Sequence, residues 1–403
     1  ADPLIIDKLI FGCSFINKCK ISAYETMIYY NKKKNMNKIK LHDLKRISTH
    51  IQKDLDKAYH DVMDEANYLR GASVANLEQA WAEYSGAEDC CAMTSGSDAL
   101  HTAAMLCNIK PGDEIVCCSH SYIATVEGFL HEGAEVKWVD SKISDYCIDE
   151  DKIEEQITNK TKAIVWTDIN GQGPDIDKIV SIAKKHNILT VKDAAPSAGS
   201  MYKGKRIGHK DHQIDITCFS FGPVKNFGAI GGAGAITGSK EMCDEARQIK
   251  NHGRDKNHTR YDHTRAGWNR NIHTLQAAFL LAKLPYLDEL NERRREHAKI
   301  YNTRLSNVVN HVPEEQINQH HTYHLYSVLV NDRPSVTKYL QENNIEALSH
   351  WPKGLHEYSH TPQGINLTNT ETITTQTMSL PCSPFLTEQE RDYVIDTMHK
   401  YYA

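Results

Sequence analysis

The feature that most constrains the fold is an alternation that runs from residue 88 to residue 240. Short apolar runs trade places with stretches whose apolar residues recur every three or four positions. Glu114–Ser119, Glu135–Val139, Ala163–Thr167, Ile188–Val191 and Ile216–Phe221 read as strands. Ser97–Ile109, Tyr122–His131 and Ile176–His186 read as helices; Pro111 and Gly112 stop the first, and Asp149 is placed to cap another over 150–157. Strands separated in this way predict an α/β fold, with a mostly parallel sheet sandwiched by helices. Beyond about residue 290 the pattern changes to a charged helix Asn291–Ser306, a strand within Tyr323–Val330, and helices Ser335–Asn343 and Glu388–Tyr401. The expected organisation is an extension or linker over 1–35, a helical segment over 36–60, a large domain over 61–290 and a smaller α+β domain over 291–403.

Composition narrows the class. Of 403 residues, 40% are apolar and 25% charged, enough for a core and an ordinary surface, which excludes a disordered or disulfide-scaffold chain. Charged residues interrupt every window of about 18 residues, so no membrane-spanning helix is expected. The net charge of −5 is uneven: residues 1–50 carry ten Lys/Arg against four Asp/Glu, which leaves the rest at −11. An acidic body disfavours nucleic-acid binding, because phosphate contacts need a cationic surface. The eleven cysteines, including the adjacent pairs Cys90-Cys91 and Cys117-Cys118, follow no metal spacing and read as reduced, buried thiols of a cytoplasmic protein. No HExxH pair occurs among the 22 histidines, and the close group His320, His321 and His324 reads as packing or substrate contact, so no metal site is expected. The apolar run 4–16 is broken by Asp7 and Lys8 and lacks a cleavage pattern, so a secretory signal is not expected. The basic run 31–40 reads as a solvated linker or upstream extension, with a basic interaction tail as the alternative, and Met36 is a plausible natural start ahead of the helical pattern Ile47, Ile51, Leu55, Tyr59 and Val62.

In open α/β sheets ligands bind beyond the carboxyl ends of the strands. Four features fall at such positions. Gly96, Ser97 and Asp98 open a helix after Thr94 and Ser95, where free N–H groups and the helix dipole favour an anion; Ser97 alone would equally serve as an N-cap. Asp193 follows an apolar strand and precedes Ala194 and Ala195. Lys225 stands between an apolar strand ending in Phe219-Ser220-Phe221 and the Gly-rich run Ala229–Ala235; desolvated, its amine becomes a nucleophile for a carbonyl. Tyr122 lies just past a strand end, where its ring can cover a planar ligand. An anion pocket, a carboxylate, an aromatic platform and an imine-forming lysine are together the parts that hold pyridoxal phosphate.

The chain resembles the DegT/DnrJ/EryC1/StrS sugar aminotransferases, of the aspartate-aminotransferase fold type. The resemblance is carried in order by SGSDALH (95–101), PGDEIV (111–116), SYIAT (121–125), NGQGPDID (170–177), KDAA (192–195), CFSFGPVKNFGAIGGAGAIT (218–237), NHG (251–253), GWN (267–269), LQAAFLLAKLPYLDELNERR (275–294) and SLPCSP (379–384), and spans about residue 40 to the C-terminus. It implies that Lys225 forms the Schiff base and serves as acid and base, and that Asp193 pairs with the pyridine nitrogen. It further implies that Gly96, Ser97 and Ser220 hold the phosphate with Asp98 nearby, that Tyr122 stacks on the ring, and that Asn269 reaches the phosphate of the neighbouring subunit in a homodimer with shared active sites.

The implied reaction moves an amino group from L-glutamate, leaving 2-oxoglutarate, to C3 or C4 of a nucleotide-linked ketosugar. Arg270, His321, Tyr323, His324, His350 and Trp351 are the candidates for the sugar pocket. Three positions depart from the family pattern. Pro196 stands where a Gln, His or Glu is usual, Asn271 where an Arg is usual, and Ser97 where a Thr is frequent. Dehydratase relatives carry His in place of the Schiff-base Lys, so Lys225 favours transamination. A dehydratase or lyase of the same fold, and a non-catalytic binding protein, are the alternatives.

Overall fold

The structure, a computed structural model, describes residues 37–255, 261–361 and 364–403. The apolar run 4–16, Met36 and the extension 1–35 lie outside the described residues. Apart from strands of two residues, the elements in chain order are α1 (Leu44–His50), α2 (Gln52–Glu65), α3 (Ala72–Ser85), β1 (Asp89–Met93), α4 (Gly96–Leu106), β2 (Glu114–Cys118), α5 (Ala124–His131), β3 (Glu135–Val139), β4 (Thr161–Thr167), α6 (Ile176–His186), β5 (Leu189–Asp193), β6 (Ile216–Ser220), β7 (Gly234–Gly238), α7 (Lys240–Ile249), α8 (Thr274–Lys283), α9 (Leu287–Leu305), β8 (Tyr326–Leu329), α10 (Arg333–Glu342), α11 (Thr368–Gln376), β9 (Thr377–Leu380) and α12 (Glu388–Tyr402).

Successive residues of a strand face opposite sides of a sheet, and here both sides are covered. Cys91 and Met93 of β1 join one apolar cluster with Phe129, Trp138 and Val165, whereas Cys90 and Ala92 join a second with Trp81, Phe219 and Leu280. That is why these strands read as unbroken apolar runs. The sheet has seven strands in the order β1-β7-β6-β5-β4-β2-β3. β6, β5, β4, β2 and β3 are parallel, and β7 runs antiparallel to both neighbours. The mostly parallel α/β architecture expected from the alternation is therefore present. The nine described cysteines are free and buried. Among the described residues no helix is long and apolar enough to cross a membrane.

One expected element differs. Asp149 does cap, accepting from the Asp151 N–H, but 150–157 forms two 3₁₀ turns, Glu150–Lys152 and Glu154–Gln156. The buried Glu150 carboxylate accepts from Lys142 Nζ and, at 2.5 Å, from the Asp175 N–H, so tertiary anchoring fixes the segment in place of a continuous helix.

The C-terminal α+β part has its own core of Tyr301, Tyr326, Val328, Leu340, Met378, Tyr393 and Val394, and Ile39 joins it. Ile39 pairs in parallel with Ile345, its N–H bonding Asn344 O at 2.8 Å and its carbonyl accepting from Glu346 N at 2.9 Å. The chain then leads through His42 into α1, beside the ends of the large sheet.

Candidate active site

The parallel strands place their carboxyl ends side by side. Thr167, last in β4, is in register with Asp193, last in β5, which is in register with Cys218 of β6 two residues before Ser220. A cavity of about 290 Å³ opens there, between those ends, the start of α4 and the segments around His324 and His350. Asp193 is buried. Its Oδ2 accepts from Thr125 Oγ1 at 2.7 Å and its Oδ1 from the Ala195 N–H at 3.0 Å. Ser121, Thr125 and Thr167 form a closed hydroxyl network behind it, with oxygens 2.7–3.1 Å apart. Burial raises the Asp193 carboxyl above the ordinary aspartate range, opposed by the Thr125 and Ala195 hydrogen bonds and by Lys225.

Ser95, Gly96 and Ser97 face the cavity at the N-terminus of α4. The N-cap is Ser95, whose side chain accepts from the Asp98 N–H, so the exposed Ser97 hydroxyl is left to the cavity. Only glycine fits at 96, because a Cβ would lie 2.6 Å from Ser220 Cβ. The helix start and the Ser220 hydroxyl therefore form one cradle of backbone N–H and O–H donors.

Lys225 sits on a short loop clamped by aromatic packing. Trp81 packs edge-on against Phe219 and Phe221 and flat against Phe227, with centroids 4.9–5.1 Å apart. Phe221 and Ala229 close the loop with a backbone hydrogen bond of 2.8 Å, and Lys283 Nζ donates to Gly228 O at 2.6 Å. Lys225 is half-buried as a residue, but its amine lies within the protein, where burial lowers its pKa against the opposing pull of Asp193. Neither Lys225 nor Asp193 has an ion-pair partner within 4.0 Å among the described residues.

The opposite wall is made of imidazoles. His324 and His350 line it, and His42, which the sequence reading missed, stacks on His324 at 5.5 Å. Burial lowers all three pKa values, to about 3 for His42 and about 4 for His350, with Lys225 contributing to each. Burial thus favours the neutral form of each ring. Asn226 Nδ2 donates to Asn291 Oδ1 at 2.7 Å and to Thr322 O at 3.1 Å, so its Oδ1 accepts from His324 Nδ1–H at 3.2 Å. His324 Nε2 is then an acceptor. Tyr122, 56% exposed, and Trp351 complete the mouth with ring centroids 6.3 Å apart. Pro196 also lines the cavity and offers no donor there.

Other candidates lie elsewhere. His321 is buried against Tyr323 with centroids 3.8 Å apart, accepts from the Tyr323 N–H and does not line this cavity. Arg270 is likewise outside this chain's cavity: its guanidinium is bound to Asp98, Thr102 and His101. Asn269 is exposed and does not line its own chain's cavity. Asn271, where the usual Arg is missing, is buried and donates to Lys250 O and Asn269 Oδ1. His42, Asn170, Ser121 and Thr167 also line the cavity; the last three lie in stretches singled out in the sequence but were assigned no role at the site, and His42 is brought in by tertiary contact.

The model of the DegT/DnrJ/EryC1/StrS aminotransferase family matches residues 49–399. The dTDP-3-amino-3,6-dideoxy-alpha-D-galactopyranose transaminase of Aneurinibacillus thermoaerophilus is 36% identical, over 89% of this chain and 98% of that protein. The crystal structure of S. venezuelae DesV in complex with a ketimine intermediate superposes with a TM-score of 0.87 at 29% identity, over 91% of this chain and 99% of that one. NtdA from Bacillus subtilis with bound cofactor PMP gives a TM-score of 0.83 at 28% identity, over 91% of this chain and 85% of that one.

Proposed function

The chain belongs to the DegT/DnrJ/EryC1/StrS aminotransferase family, and from that premise we propose that its strand-end cavity binds pyridoxal phosphate and moves an amino group from L-glutamate to a nucleotide-linked deoxysugar bearing a keto group at C3 or C4. The observation that carries this reading is one cavity holding a buried carboxylate and a buried amine that feel each other's charge, yet neither of which has an ion-pair contact within 4.0 Å among the described residues. A pyridinium N–H answers the first and an aldehyde the second, so the residues present fit the cofactor. The donor cradle of Gly96, Ser97 and Ser220 fits its phosphate.

When bound, pyridoxal phosphate supplies an electrophilic carbonyl and a cationic ring that delocalises negative charge. Asp193, oriented by Thr125 and the Ala195 N–H, holds a proton on the ring nitrogen. Lys225, on the loop held by the aromatic clamp and with its pKa lowered by burial, would hold the cofactor's carbonyl carbon and, as a free amine, would carry the proton between the donor Cα and the cofactor. Tyr122 and Trp351 exclude water from the ring face. The neutral imidazoles of His324, His350 and His42 present hydrogen-bonding nitrogens suited to sugar hydroxyls. Asn269 is exposed, and its Oδ1 accepts from Asn271 Nδ2, which leaves its NH₂ group without a hydrogen bond to its own chain among those described. That suits a homodimer in which it reaches the partner subunit's phosphate. The reaction is assigned to the cytoplasm, in keeping with nine buried thiols left free.

The test is spectroscopic. The purified protein should show a visible absorbance band with pyridoxal phosphate that Lys225→Ala abolishes. L-glutamate should bleach it with release of one 2-oxoglutarate per site, and a mass-spectrometric screen of nucleotide-linked 3- and 4-ketosugars should then find an aminosugar. A band that no amino acid alters would overturn transamination.

A further inference from the structure

Asp98 raises an electrostatic problem for an anion cradle. It lies in the first turn of α4, the helix end that faces the cavity, where a carboxylate would repel a phosphate dianion. Arg270 answers it. Its Nε is 3.0 Å from Asp98 Oδ1, and the guanidinium is buried. The other Asp98 oxygen accepts from Ser95 Oγ at 3.0 Å and from Thr94 Oγ1. The rest of the guanidinium is also committed: Nη1 donates to Thr102 Oγ1 at 2.9 Å and Nη2 to His101 Nδ1 at 2.7 Å. Because His101 Nδ1 accepts, its proton sits on Nε2, which donates to Glu132 Oε1 at 2.8 Å. The imidazole is thus a neutral relay, and burial lowers its pKa accordingly. Trp268 covers the guanidinium with its ring centroid 5.0 Å from Cζ, limiting solvent screening.

We infer that Arg270 is a positioning residue of the cofactor site: it neutralises Asp98, so that the α4 N-terminus accepts a phosphate dianion. The inference rests on the proposed cofactor reading and moves Arg270 from sugar contact to phosphate electrostatics. It separates two ligands that differ by the phosphate group, pyridoxal phosphate and pyridoxal.

The experiment titrates apo-protein prepared from the holoenzyme with each ligand, following the visible band. Arg270→Met should raise the Kd for pyridoxal phosphate roughly tenfold or more and leave that for pyridoxal within about twofold. Adding Asp98→Asn to Arg270→Met should restore phosphate-dependent affinity. Asp98→Asn alone, which keeps the arginine, should bind pyridoxal phosphate at least as tightly as the wild type. Equal weakening of both ligands, no restoration in the double variant, or weaker binding by Asp98→Asn would each overturn the inference while leaving the cofactor reading intact. A wild-type protein that binds neither ligand would overturn both.

Discussion

Gly96→Ala sets two physical effects against each other. In a helix, alanine is favoured over glycine by about 0.8–1.0 kcal/mol, so propensity alone makes this a stabilising change at the first residue of α4. The packing says otherwise. The added Cβ would lie 2.6 Å from Ser220 Cβ, 3.0 Å from its Oγ and 3.1 Å from its Cα, whereas ordinary contacts begin at 3.4 Å. Helix and strand must therefore part by about 0.8 Å at that point. Overpacking of this kind costs about 1–3 kcal/mol, which leaves a net loss of up to about 2 kcal/mol once the propensity gain is taken off. The larger consequence is at the site. Ser220 and the α4 N-terminus are the two halves of the phosphate cradle, and a misplacement approaching 1 Å costs on the order of 100-fold in a positioned reaction. Urea unfolding of the apo-protein and a pyridoxal phosphate titration measure the two effects. Gly222→Ala is the comparison, because its Cβ would meet only Ser220 Oγ, at 3.6 Å. A Gly96→Ala protein as stable as the wild type, with unchanged cofactor affinity, would refute the reasoning.

Three further outcomes are expected. Burial holds the Lys225 amine below 10.5, so between that lowered value and 10.5 the unfolded chain binds more protons than the folded one. Apo-protein stability should thus rise with pH across that window relative to Lys225→Met, and a pH-independent difference in urea midpoints would contradict the depressed amine. Lys192 and Asp168 form an ion pair at 2.9 Å with both side chains fully buried, although not in hydrogen-bond geometry. Asp168→Asn should cost about 3–5 kcal/mol in chemical denaturation by stranding the cation, whereas joint replacement by Met and Leu should cost far less. Trp81→Ala, which empties the clamp behind the Lys225 loop, should cost about 3–5 kcal/mol and weaken cofactor binding as well, and a stable variant with normal affinity would deny that the clamp positions the amine.

How much of this was legible varies with how local the cause is. Glu135–Val139 and Ile176–His186 match their observed elements residue for residue, because an apolar run and a capped amphipathic period are each short-range signals. The segment 150–157 was misread for the opposite reason: its cap is local, but the buried Glu150 answers to Lys142 and Asp175. α11 is rich in threonine and carries no strong period; Asp140 holds its start by accepting from the Thr370 N–H and Oγ1. At the site, Asp193, Ser220 and Gly96 stand at strand ends, where parallel topology itself sends ligands. His42 lies 183 residues before Lys225 in the chain and meets the cavity only because Ile39 is stitched to Ile345.

What the sequence determined alone is the order of strands and helices, the residues after each strand and the family they resemble, all written in neighbouring positions. Tertiary structure decided which of those residues share a cavity. It drew in His42, turned His321 onto Tyr323, and spent the Arg270 guanidinium on Asp98. Charge and burial act through space, so the same imidazole or guanidinium is a ligand group or an internal brace according to what the fold sets beside it.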